Sequence, residues 1–230
     1  VREIIYPLWD MGLDVGHATR SIKECLAMAR QDFEVLTSIL DARFICGMSI
    51  LFTDLMEALR HAVLKKRSRR IIEWLVESNR ERHRHFGDSS YLLEPNIKEG
   101  IGGLRDYHTM LWIARIKFQL KQPRDLEYFG YLSHEEYQAI QEALFFIWNV
   151  RNRLHHKSGR KCDQLYFENQ IKLAVSMNFS KSNGQQPVEK FLGELHGKMD
   201  FMKQQHLMFL REHGHEKKIR LKFRVHKSIK

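Results

Sequence analysis

The chain has 230 residues, 43% hydrophobic and 29% charged, and 38 Lys and Arg against 28 Asp and Glu give a formal net charge of +10. That apolar share suffices for a real core and excludes global disorder, and no apolar run reaches the roughly 18 to 20 residues that crossing a bilayer requires. Val1-Arg2-Glu3 does not open a basic-then-apolar leader, and three scattered cysteines (Cys25, Cys46, Cys162) without a CxxC argue against a disulfide framework or cysteine zinc site, so a cytoplasmic location is expected.

In chain order, Arg2 to Met11, Ile22 to Ala29 and Phe33 to Leu40 read as helices. They are separated by two segments of strand-like character, Leu13 to Arg20 and Ala42 to Cys46, an alternation that suggests part of a small α/β unit. From about residue 56 the pattern turns helical. Arg69 to Phe86 sets Ile72, Leu75, Val76, Asn79 and Phe86 inward, and a helix after Gly102-Gly103 does the same with Leu104, Tyr107, Leu111, Ala114 and Phe118. Glu135 to His156 repeats the stripe with Ile140, Leu144, Ile147, Val150 and Leu154. A near-heptad seam follows Pro187 through Val188, Leu192, Leu195, Met199, Met202, His206 and Phe209. The fold class expected is mainly α, a helical bundle at 56–213 preceded by a smaller α/β portion at 1–55. The tail at 214–230 is basic: Lys217, Lys218, Arg220, Lys222, Arg224, Lys227 and Lys230 face no acid over the last fourteen residues. No aromatic interleaving, RNA-binding signature or zinc finger accompanies the tail, so a nucleic-acid partner is not expected.

Two segments are dense in chemistry. In Lys98-Glu99-Gly100-Ile101-Gly102-Gly103-Leu104-Arg105-Asp106, the glycines permit close backbone approach and a helix start supplies free amides, while Lys98 and Arg105 bracket the turn with cations. That is the chemistry of a phosphate-holding loop without the Walker A spacing, and it is equally the composition of a tight turn that merely begins a helix. Asp106 is expected to steady Arg105 or cap free amides. The second segment, Trp148 to Leu165, ends an apolar-striped helix in cations and a glycine stop. Arg151 and His155 are its candidate nucleotide contacts, against the plainer reading of charges that complement a helix C-terminus. His155-His156 and the pair His83 and His85 lack the i, i+4 spacing of a two-histidine metal face, and GxSxG, HExxH and GxGxxG are absent.

The strings YPLWDMGLDVGHATRSIKECL, LTSILDARFICG, LEPNIKEGIGGLRDYHTMLWIAR, FGYLSHEEYQ and FFIWNVRNRLHHKSGRKCDQLYFENQ resemble, in order, blocks of the bacterial PII uridylyltransferase/uridylyl-removing enzymes, covering the chain to about residue 210. These belong to the polymerase-β-like nucleotidyltransferases, and the related glutamine synthetase adenylyltransferase carries a similar K-x-x-x-G-G-[LI]-R-[DE] block. The resemblance implies transfer of UMP from UTP to a tyrosine of the PII signalling protein, and its reversal, under glutamine control. It implies two Mg²⁺ ions on an Asp-x-Asp pair, which this sequence lacks, so those carboxylates are expected upstream of Val1 and residues 1–55 become the rear of a nucleotidyltransferase palm. None of the thirteen histidines precedes an Asp, as the uridylyl-removing half would need. The chain is thus expected to be a fragment, inactive by itself and with no catalytic residue of its own. Lys98, Gly102, Gly103, Arg105, Asp106, Arg151 and His155 are its nucleotide-binding candidates. Asp14 is the candidate third metal carboxylate, with Asp41 less favoured and a plain solvent-exposed acid as the alternative for Asp14. A non-catalytic nucleotide- or protein-binding module of the same fold is the second reading, and a nucleic-acid binder through the basic tail the third and least favoured.

Overall fold

The computed structural model describes residues 2–87, 91–182 and 184–214. Where the sequence carries 3.6-residue stripes bounded by good caps, helices form. Ser21 and Glu24 close a capping box at the start of α2 (Ile22–Gln31), and Asp32 caps α3 (Phe33–Leu40) by accepting from the Glu34 and Val35 amides. With α1 (Arg2–Asp10) and α4 (Ser49–Leu59), these helices belong to a first compact unit ending at Ser68. Residues Arg60–Leu64 then wind as a π-helical turn, with the Lys65 amide reaching the Arg60 carbonyl, before the chain continues as α5 (Lys65–Phe86).

The strand-like segments of the first unit are a correction. Neither Leu13 to Arg20 nor Ala42 to Cys46 forms a strand, and the only β pairings among the described residues are the isolated bridges Asn96–Gln164 and Ser182–Gln185. The reason is physical: strand backbone is stabilised by a neighbour that takes its N–H and C=O groups, and neither segment meets one. The core of this unit is small, built on Ala29, Leu36, Leu40, Leu59 and Val63, while Leu13, Phe44, Ile45 and Ile50 stay exposed.

The second unit begins at Arg69. It contains most of α5, then α6 (Leu104–Phe118), α7 (Asp125–Tyr128), α8 (His134–Ser158), α9 (Phe167–Ser176) and α10 (Pro187–Glu212). The expected change of character at residue 55/56 falls inside α4, whereas the compact units divide at Ser68/Arg69. α6 is the central helix, burying Leu104, Tyr107, Met110, Leu111, Trp112, Ile113, Ala114 and Ile116 around nearly its whole circumference. α10 packs on α6, α8 and α9, and its buried seam is Phe191, Leu195, Met199, Met202, His206 and Phe209. α8 opens on a Ser133–Glu136 capping box, buries the expected Ile140, Leu144, Ile147, Val150 and Leu154, and stops at Gly159 in a left-handed conformation. Fully burying one such aliphatic side chain contributes about 1.5 to 3 kcal/mol, so this seam rather than helix propensity holds α6 and α8 in place. The basic tail beyond Gly214 lies outside the described residues.

Candidate functional site

Between α5 and α6 the chain folds on itself before the helix starts. Asn96 accepts the amides of Lys98 (3.1 Å) and Glu99 (2.7 Å) on its side-chain oxygen and that of Gly100 on its carbonyl. The Gly103, Leu104 and Arg105 amides go to the carbonyls of Gly100, Ile97 and Lys98, and the Gly102 amide donates to Asp106 Oδ2 at 2.7 Å. The amides that the sequence suggested for an anion are therefore occupied within the turn. The glycines answer to packing: a Cβ on Gly102, at φ +73°, would stand 1.9 Å from the Met199 carbonyl oxygen of α10, and one on Gly103 would crowd three carbonyls at 2.7 to 2.8 Å. Both glycines are buried, Gly102 beneath α10 and Gly103 within the turn itself.

Asp106, on the first turn of α6, is completely buried and takes four donors. Oδ1 accepts from Asn79 Nδ2 (2.9 Å), Arg82 Nη2 (2.5 Å) and His83 Nε2 (2.8 Å), three side chains at i, i+3 and i+4 on one face of α5. Oδ2 accepts the Gly102 amide, so of the two roles open to it Asp106 caps the turn, and Arg105 is held elsewhere. Burial alone would raise the Asp106 carboxyl. The His83 hydrogen bond and the charges of His206, Arg82 and His83 outweigh it and hold the group far below the ordinary carboxylate range. His206, from α10, sits beside it, buried with neither ring nitrogen hydrogen-bonded among the described residues, and burial lowers its basicity more than the Asp106 charge restores it.

The cations lie further out. Glu99 gathers Lys98 Nζ (2.9 Å) and the Nη2 and Nε of Arg105 (3.2 and 3.3 Å), while its backbone carbonyl accepts from Arg82 Nη1 (2.6 Å). Burial raises the Glu99 carboxyl, but the hydrogen bonds from Arg105 and Lys98 prevail and lower it. Arg105 also lies 5.4 Å over the Trp112 ring. On α8, Arg151 and His155 share a face and both meet Asp163 Oδ1, from Arg151 Nε at 2.7 Å and His155 Nε2 at 2.9 Å.

The two sequence clusters are one site in space. The Ile97 amide donates to the Asp163 carbonyl (2.8 Å), the Leu165 amide to the Pro95 carbonyl (3.0 Å), and Asn96 Nδ2 to Gln164 Oε1 (3.3 Å). Lys98 lies near enough to Asp163 for its charge to help lower that carboxyl, after burial, which raises it, and the Arg151 and His155 hydrogen bonds, which together overcome it. Among the described residues, Lys98, Arg82, Arg105 and Arg151 thus face three carboxylates, those of Glu99, Asp106 and Asp163. The side chains of Lys98, Arg105, Arg151 and His155 remain 23 to 31% exposed, and Arg151 spends only Nε, leaving both Nη groups unengaged among the described residues.

Sequence reading missed Arg82, His83, Glu99 and Asp163 as members of this site. A signal was present for the first two: polar Asn79 in an apolar stripe, followed at i+3 and i+4 by two potential donors, marks a helix face turned toward a buried acceptor. Asp14 is exposed in an irregular segment of the other unit, and among the described residues no group of three His, Cys, Asp or Glu side chains could hold a metal. The Mg²⁺ implied by the resemblance therefore finds no ligand set in these residues. Nor, among the described residues, is any helix long and apolar enough to cross a membrane.

The profile of the GlnD PII-uridylyltransferase family matches residues 70–210, the span that holds the turn, Asp106 and both cation pairs. The chain belongs to that family. Similar curated relatives are bifunctional uridylyltransferase/uridylyl-removing enzymes. That of Nitrobacter hamburgensis is 40% identical over 189 residues, covering 82% of this chain and 20% of the relative. That of Bradyrhizobium sp. strain BTAi1 is 39% identical over the same coverage. That of Cereibacter sphaeroides is 36% identical over 192 residues, 84% of this chain and 21% of the relative. The chain spans about a fifth of the length of the curated relatives it matches. No solved structure matches it significantly.

Proposed function

We propose that this chain is part of a cytoplasmic protein-PII uridylyltransferase and contributes the cationic surface that holds the triphosphate of UTP. In that reaction a PII tyrosine oxygen attacks the α-phosphorus of UTP, the bond from that phosphorus to its bridging oxygen breaks, and pyrophosphate leaves with the charge. The family supports the reaction class. The observation that carries the chain's share in it is the convergence of Lys98, Arg105, Arg151 and His155, each about a quarter exposed and with donors to spare, on a hydrogen-bonded turn.

Mg²⁺ would neutralise charge on both sides of the reacting phosphorus, held by an Asp-x-Asp pair that this sequence does not contain. The chain's own contribution is electrostatic. Arg105 and Arg151 present planar forks to phosphate oxygens and Lys98 a mobile point charge, directed toward the departing pyrophosphate. Asp106 and the glycines hold that surface in position and touch no nucleotide.

The test is UTP binding by the full-length protein. Arg105→Ala should weaken it by about 1.5 to 3 kcal/mol, as expected for a charge-assisted contact, with little loss of stability. Unchanged affinity together with a sharply lowered melting temperature would show that Arg105 is structural and the phosphate assignment wrong.

A further inference from the structure

We propose that Asp163 is a positioning residue of the triphosphate site, one that aims Arg151 and His155 at the polyphosphate and fixes their place beside Lys98. The proposal rests on the triphosphate reading above and names a residue that reading did not require. A carboxylate beside a bound polyanion is at first sight misplaced, because it repels the ligand. Its geometry accounts for its presence.

Gly159, at φ +61°, ends α8 and turns the chain back. That return brings Asp163 alongside the helix's last turns, where a single oxygen, Oδ1, receives both Arg151 Nε and His155 Nε2. The bond to Nε leaves the two Nη groups of Arg151 for another acceptor, and the bond to His155 Nε2 leaves Nδ1. The main chain of the same residue does the second half of the work. Its carbonyl accepts the Ile97 amide at 2.8 Å, one residue before Lys98, and its neighbour Gln164 bonds Asn96 and the Glu94 carbonyl. Asp163 therefore joins the α8 cations through its side chain to the Lys98 turn through its backbone. Its side chain is 13% exposed, so the bonds it holds are shielded from competing water.

Two effects of opposite sign can be separated by experiment. If Asp163 merely sits near the site, removing its charge relieves repulsion and tightens anion binding. If it positions Arg151 and His155, removing the acceptor weakens binding even though a negative charge has been taken away. Asp163→Asn keeps an acceptor oxygen without the charge, and Asp163→Ala keeps neither.

The experiment is calorimetric titration of the full-length protein with UTP, inorganic tripolyphosphate and uridine, for the wild type, Asp163→Asn, Asp163→Ala, Arg151→Ala and Lys98→Ala. Asp163→Ala is expected to weaken UTP and tripolyphosphate about ten- to a hundredfold, the loss expected for charge-assisted contacts left unaimed. Asp163→Asn should stay within about threefold of wild type, and uridine affinity should not change in any variant. Should Asp163→Ala fail to fold, Asp163→Ser, whose hydroxyl is too short to span to both partners, replaces it with the same expected loss. Tighter or unchanged tripolyphosphate binding by the Ala or Ser variant, with Arg151→Ala and Lys98→Ala both weakened, overturns the positioning role and leaves the triphosphate reading standing. Equal weakening by the Asn and Ala variants also overturns it, since the acceptor would then not be what matters. If Arg151→Ala and Lys98→Ala bind UTP like wild type, the triphosphate reading itself fails.

Discussion

Replacing Asp106 by Asn tests the account of this site most directly, because it changes one atom and leaves the volume intact. Every hydrogen-bond partner of the carboxylate is a donor: Asn79 Nδ2, Arg82 Nη2 and His83 Nε2 on one oxygen, and the Gly102 amide on the other. In either orientation, the carboxamide in Asp106→Asn points its own NH₂ at a donor, so at least one buried bond becomes a clash. The Arg82 guanidinium, whose side chain is 11% exposed, loses the nearer of its two anionic partners at the same time, keeping only Glu99 at 3.9 Å. Breaking a buried pair from one side costs about 3 to 5 kcal/mol, and at about 2 to 4 °C per kcal/mol for a unit of this size the melting temperature should fall by roughly 10 °C. Urea denaturation of the wild type and of Asp106→Asn measures it, with Arg105→Ala, a more exposed change, as the control expected to cost about 1 kcal/mol or less. A loss below about 1 kcal/mol for Asp106→Asn would refute the reasoning, because the carboxylate would then not be the anchor between α5 and the α6 turn.

Gly102→Ala must either displace α10, whose Met199 carbonyl occupies the position of the new methyl, or abandon the left-handed turn, and a loss of about 3 kcal/mol or more in chemical denaturation is expected. Burial depresses the basicity of His206, His196 and His213 below the ordinary histidine value. The unfolded chain therefore binds more protons, and stability should be full above about pH 6.5 and decline as pH falls below it. His206 faces Asp106, His83 and Arg82, so His206→Leu should flatten that decline in a pH series of denaturation midpoints, and an unaltered slope would contradict it. The lowered carboxyls of Asp106, Glu99 and Asp163 add a second loss of the same sign below about pH 4. The isolated chain, incubated with labelled UTP, Mg²⁺ and PII, should leave PII unlabelled, since it carries no Asp-x-Asp pair, and robust labelling would overturn the fragment reading.

The helices of the second unit were legible in the sequence because their information is local. A 3.6-residue stripe, a Ser133–Glu136 box and a glycine stop act over a few residues; α8 buries every residue expected of it, and α10 does so from Leu195 on, with Phe191 buried where Val188 and Leu192 were expected. Short helices escaped for the same reason. α4 has no side-chain cap, and α9 has no N-cap side-chain bond of its own but takes its first amide bond from distant Glu94. The strand-like segments of the first unit show the converse: period-2 character becomes a strand only when a partner supplies its hydrogen bonds. The identities of Lys98, Arg105, Arg151 and His155 were readable as charges near glycines, but their union was not, because Asn96 and Gln164 are 68 residues apart and nothing local encodes their pairing. Nor could sequence decide what the glycines were for. G-x-G-G suits an anion cradle and a helix crossing equally well, and only the passage of α10 over Gly102, with the Gly102, Gly103, Leu104 and Arg105 amides bonded within the turn, shows the packing these glycines serve.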